Sequence, residues 1–97
     1  MPKYVSLMNW TDQGIKDAAS TIARYEEAKK AAASMGITFE TVVWTMGEYD
    51  LVGIIDAPDE ETGTAFLMML GASGNLRTKT MRAFTDEEMT SLLGKVS

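Results

Sequence analysis

Four short runs rich in β-branched and aromatic residues alternate with two longer stretches whose apolar residues recur at three- and four-residue steps. A last amphipathic segment closes the chain. This predicts an α+β protein of order βαββαβ with a C-terminal helix, the ferredoxin-like split βαβ sandwich with an antiparallel sheet and its helices on one face. At 97 residues the chain suits one domain spanning 1–97. A chain of this size buries roughly two-thirds of its unfolded surface. That supports one modest core, and a second apolar surface would need a partner.

Each element has its own signal. In "KYVSLMNW", Val5 and Leu7 alternate with Tyr4, Ser6 and Met8, a strand period. Thr11 or Asp12 then caps a helix. Ile15, Ala18, Ile22, Tyr25, Ala28, Ala32 and Met35 form one stripe of a long amphipathic helix, and Gly36 ends it. "ITFETVVWTM" reads as a strand, Gly47-Glu48 as a two-residue type II′ turn, and "YDLVGIID" as the returning strand. Asp59 caps a second helix, with Glu60 and Glu61 at its positive end, and Gly71 or Gly74 stops it. "LRTKTMRAF" is the fourth strand. Thr85 and Glu88 form a capping box on the last helix, Phe84 and Met89 occupy the staple positions, and Leu92, Leu93 and Val96 share one side.

The turn fixes a register. Met46 pairs with Tyr49, Trp44 with Leu51 and Val42 with Gly53, all on one face; Phe39, Val43, Val52 and Ile54 occupy the other. Both faces are therefore apolar, whereas a sheet covered on one side should alternate. The Trp44 face is expected to be the one without helices, an exposed patch that marks an interface or a ligand site. Symmetric self-association, sheet against sheet, is the expected cover.

Composition removes whole classes of chemistry. There is no cysteine and no histidine, so thiol chemistry, Cys-ligated metals, imidazole bases and imidazole metal ligands are absent. The formal net charge of −5 disfavours nucleic acid. No basic RNP1 string, phosphate loop or Gly-x-Ser-x-Gly elbow occurs. The acids around Pro58 (Asp56, Asp59, Glu60 and Glu61) are explained by helix capping, so no metal site is expected. The eight methionines are scattered and read as adaptable packing; Met8 and Met46 are expected on the second sheet face. No stretch spans a bilayer and none resembles a signal peptide, so a soluble cytoplasmic protein without membrane partners is expected.

"YVSLMNWTDQGI", "WTMGEYDLVGIIDAPD" and "GNLRTKTMRAFTDEE" resemble the GYD domain family, whose Gly-x-Tyr-Asp turn is matched by Gly47, Tyr49 and Asp50. The resemblance covers nearly the whole chain; Asp56 departs from the glutamate usual in the family. More distantly it resembles the dimeric α/β barrels, which implies a homodimer or higher oligomer packed through the sheet face. The family is of unknown function and brings no catalytic residues and no cofactor.

The residues singled out as pocket or interface candidates are Trp10, Trp44, Met46, Tyr49, Asp50 and Arg82. Asp50 bonds turn amides or serves as a general base. Arg82 or Arg24 pairs with it or holds an anion. Three functions remain open. The first is a homo-oligomer that binds an apolar or aromatic small molecule between sheet and helices. The second is a cofactor-free oxygenase- or isomerase-like enzyme with Asp50 as base. The third is a purely structural or interaction module.

Overall fold

A computed structural model, which describes residues 1–96, has the expected element order. β1 (Lys3–Trp10) leads through α1 (Asp12–Lys16) and a 3-10 turn (Ala18–Ser20) into α2 (Thr21–Ser34). β2 (Thr38–Trp44), β3 (Leu51–Asp56), α3 (Glu60–Ala72), β4 (Leu76–Ala83) and α4 (Asp86–Leu93) follow. The strands form one antiparallel sheet in the order β2-β3-β1-β4. This is the ferredoxin-like order, with the first and third strands central and each helical crossover leading to an edge.

The first helix is not continuous. Asp17, at φ −118° and ψ 44°, leaves the helical region, and α2 begins afresh at Thr21. α1 is tied to the loop before β4: Thr11 N–H donates to the Asn75 carbonyl at 3.1 Å, and a Cβ on Gly14 would stand 2.1 Å from that oxygen. Only glycine allows so close an approach. Ile15 and Ile22 consequently leave the expected buried stripe and are each 55% exposed. α2 packs instead through Ala31, Ala32 and Met35. It ends in a Schellman pair, with Gly36 and Ile37 donating to the carbonyls of Ala33 and Ala32.

The other caps form as expected. Asp59 accepts from Thr62 N–H at 2.7 Å, and Thr85 and Glu88 close the capping box at 3.1 and 2.9 Å. These backbone bonds hold the Asp59 and Glu88 carboxyls below their usual pKa. At the staple positions, Phe84 and Met89 are 50% and 42% exposed.

The hairpin register is the expected one for Trp44–Leu51 and Val42–Gly53, but the turn is wider. Strand pairing stops at Trp44, and Thr45 N–H donates to the Asp50 carbonyl at 2.8 Å, closing a loop over residues 46–49. The Thr45 hydroxyl braces the loop through the Tyr49 carbonyl at 2.6 Å. Met46 and Tyr49 are therefore loop residues and do not pair. Gly47 has φ +124° with nothing near its missing Cβ, so a side chain there meets backbone strain and no clash. Gly47→Val is expected to cost about 1–3 kcal/mol, read as a lower urea midpoint at unchanged slope.

The sheet faces are the reverse of the expectation. The helices cover the face of Tyr4, Ser6, Met8, Leu51, Gly53 and Ile55, all buried. Trp44 shares that face: its ring lies edge-on to Tyr25 of α2 at 5.7 Å, and its Nε1–H donates to Thr21 Oγ1 at 3.0 Å. A β-bulge between Phe39 and Thr41 shifts the pleat, so Phe39 pairs with Ile55 and points to the helices with Trp44, away from Val43. The core gathers Tyr4, Ala32, Ile37, Ile55, Ala57 and Phe66.

The open face carries two cross-strand rows. One runs Thr41, Ile54, Val5, Met81; the next runs Val43, Val52, Leu7, Lys79. Six of these eight are apolar. Lys3, paired with Glu40 and 3.9 Å from Asp56, bounds the patch at one end, and the Glu40 bond raises the Lys3 pKa. α4 is also uncovered on its apolar side, with Leu92 37% and Leu93 51% exposed. The chain exposes 6228 Å², against about 5,500 Å² for a monomeric protein of its mass. Its radius of gyration is 14.5 Å, against about 12.5 Å for a compact domain of this length. The chain is thus more extended, and exposes more surface, than a compact domain of its size.

Candidate functional site

A cavity of ≈ 540 Å³ lies between the helix side of the sheet and the splayed pair α2 and α3. Its floor is Met8 and Trp10 of β1, Phe39 and Val42 of β2, Leu51 of β3 and Leu76 of β4. α2 supplies Ala23, Ala28 and Ala31 beside Arg24 and Tyr25, and α3 supplies Phe66, Met69 and Leu70. The space exists because α2 presents alanines where larger side chains would meet α3; packed interiors otherwise leave few voids. An edge-on series, Trp44–Tyr25–Phe39–Phe66, with centroids 5.7 Å apart at each step, stiffens the wall.

The antiparallel topology gives the cavity two unlike ends. The start of α2, the end of α3, Trp10 and Leu76 lie together at one end, where Trp10 pairs with Leu76. Of the polar lining residues, Thr21, Arg24, Ser73 and Asn75 collect there, and Glu27 stands about a turn further along α2. The other end closes on Phe39, Phe66 and Ala31, against the core. α1 braces the polar end: Gln13 Nε2 donates to Asn75 Oδ1 at 3.0 Å, and Arg24 Nη2 donates to the Gly14 carbonyl at 3.2 Å.

The residues singled out from sequence do not converge. Trp10 lines the cavity, and Trp44 stands behind its Tyr25 wall. Asp50 sits just outside: its Oδ2 accepts from Trp10 N–H at 2.9 Å, and its own N–H donates to the Met8 carbonyl at 2.9 Å. This carboxylate fastens the hairpin loop to β1 and does not line the cavity. Tyr49 lies under Lys79 at 5.8 Å, and Met46 is 100% exposed at the loop tip. Arg82 is at the opposite end of the sheet, paired with Tyr4 across β1, 3.4 Å from Glu60 and bonded to the Ala83 carbonyl at 2.6 Å. The group that unites the site is Arg24 with the aromatic and alanine walls. Phe66, Met69 and the alanine face of α2 were the members that patterning alone did not single out. Among the described residues no cluster of acids has metal-site geometry, and no helix is long and apolar enough to cross a membrane.

The model of the GYD domain matches residues 4–93. A relative from Thermus thermophilus, the glutamine synthetase and cystathionine beta-lyase binding protein, is 23% identical over 94 residues, covering 96% of this chain and 99% of the relative.

Proposed function

Since the chain belongs to the GYD domain family, we propose that it is a small binding protein that works as a homo-oligomer. The helix side of the sheet takes an apolar or aromatic small molecule, and the open side meets a second copy. The observation that carries this is the ≈ 540 Å³ cavity with aromatic walls and polar groups at one end. That volume and make-up are those of small-molecule sites, which run from about 300 to 1,000 Å³. The surplus surface and the six-residue apolar patch support pairing through the sheet. Asp50, engaged by Trp10 N–H, lends no support to a catalytic base here.

Native mass spectrometry of freshly purified protein tests both halves. The expected spectrum is a dimer or larger species with extra mass that leaves on denaturation. A clean monomer would overturn the pairing. An oligomer that takes up no small apolar compound on soaking would overturn the ligand half.

A second reading is favoured by the Thermus thermophilus relative, whose name makes it a binding protein of two enzymes. In that reading the open sheet face and the uncovered side of α4 dock a different protein. Pull-down with open-face variants separates the two.

A further inference from the structure

We infer that the cavity between α2 and α3 is built for an amphipathic anion, an apolar or aromatic body carrying one carboxylate, with its acid group seated on Arg24 at the polar end. This rests on reading the cavity as a ligand site and goes further by naming the ligand's chemistry. Arg24 and Glu27 carry the only charges among the lining residues. Glu27 is turned to solvent, 78% exposed and 3.8 Å from Lys30. Arg24 is half-buried and, among the described residues, has no carboxylate within ion-pair distance. Its single bond, to the Gly14 carbonyl, orients the guanidinium and leaves most of its donors unclaimed.

A half-buried guanidinium without a counter-charge at the rim of an apolar space favours a planar anion, which it can bind bidentately. The start of α2 and the end of α3 meet at this mouth with opposed dipoles, so the helix ends largely cancel and Arg24 sets the sign. The cavity then runs inward to Phe39 and Phe66, with no polar partner at its blind end. A head at the mouth and a tail towards the core is the orientation this gradient selects.

The experiment uses anilinonaphthalene sulfonate as a fluorescent probe of the intact protein, displaced by decanoate or by decanol. Decanoate should displace it at least about tenfold more effectively, the size of a charge-assisted bond. Arg24→Gln should erase that preference and leave decanol unaffected. Ala28→Leu should fill the cavity and weaken both competitors, with Ala31→Leu as a second filling variant; thermal melts identify which variants fold. Equal displacement by acid and alcohol, both lost on filling, would overturn the anion assignment and leave the cavity reading standing. Displacement indifferent to filling in a folded variant would overturn both.

Discussion

Phe66→Ala is expected to remove about 3–5 kcal/mol of stability, a large share of what a small domain holds in reserve. Phe66 is 1% exposed and is the largest fully buried side chain. It stands where three structures meet: the core around Tyr4 and Ile55, the edge-on aromatic series through Phe39, and the blind end of the cavity. Truncation loses the burial of the ring and leaves a void beside an existing one. α3 cannot relax inward to close it, because at Gly63 it already lies on Tyr4, where an added Cβ would stand 2.8 Å from the ring. The urea midpoint should fall sharply at pH 7, and the protein should be partly unfolded at moderate temperature. A loss below about 1 kcal/mol would mean that Phe66 sits in a site able to collapse, contrary to this packing.

The element order was legible because it depends on local signals. The Asp59 cap, the Thr85–Glu88 box and the Gly36 terminator each act within one turn of chain, and each formed. What failed depended on distant contacts. Phe39 and Val43 share a face by counting alone, but one extra residue at the bulge puts them on opposite sides. Both faces of the hairpin are apolar, so hydropathy held no information on which one the helices cover. That is decided by the crossovers and by β1, where small, half-polar Ser6 turns inward beside Tyr4 and Met8, its hydroxyl 2.9 Å from Thr80 Oγ1, while Val5 and Leu7 turn out. The break at Asp17 is equally non-local, since it follows from the approach of Gly14 to Asn75 across the fold.

The same physics explains why the site was only half visible. Trp10, which lines the candidate cavity, is conspicuous in sequence as an aromatic at a strand end. In sequence Ala28 reads as part of an ordinary packing stripe, although the smallness of Ala23, Ala28 and Ala31 is what makes the cavity. A void is a property of two surfaces, and sequence shows one at a time. Asp50 is conspicuous for its chemistry, yet its bonds to Trp10 N–H and the Met8 carbonyl make it a strap between loop and β1. Its carboxylate acts by holding Trp10 in line with the floor of the cavity.

Trp44 lies on the helix side of the sheet, so the substitution that tests the proposed self-association is at Ile54 on the open face. Ile54 sits near the centre of the open patch, paired with Val5 on one side and Thr41 on the other. In an isolated protomer Ile54→Lys replaces a half-buried side chain on the uncovered face, where the lysine stem can lie along the sheet with its ammonium in water, at a cost of about 1 kcal/mol. In a face-to-face dimer the ammonium enters a dry seam twice, once from each copy. An unpaired charge so placed costs about 3–5 kcal/mol, which weakens association by about a hundredfold or more. Sedimentation should therefore show a dimer giving way to a monomer that melts as a folded protein. Trp44→Glu, by contrast, should destabilise the protomer itself, since it removes the Tyr25 contact and the Thr21 bond. If Ile54→Lys left the dimer intact and Trp44→Glu dissolved it, pairing would run along the α2 side, and the open sheet face would be left for a different partner.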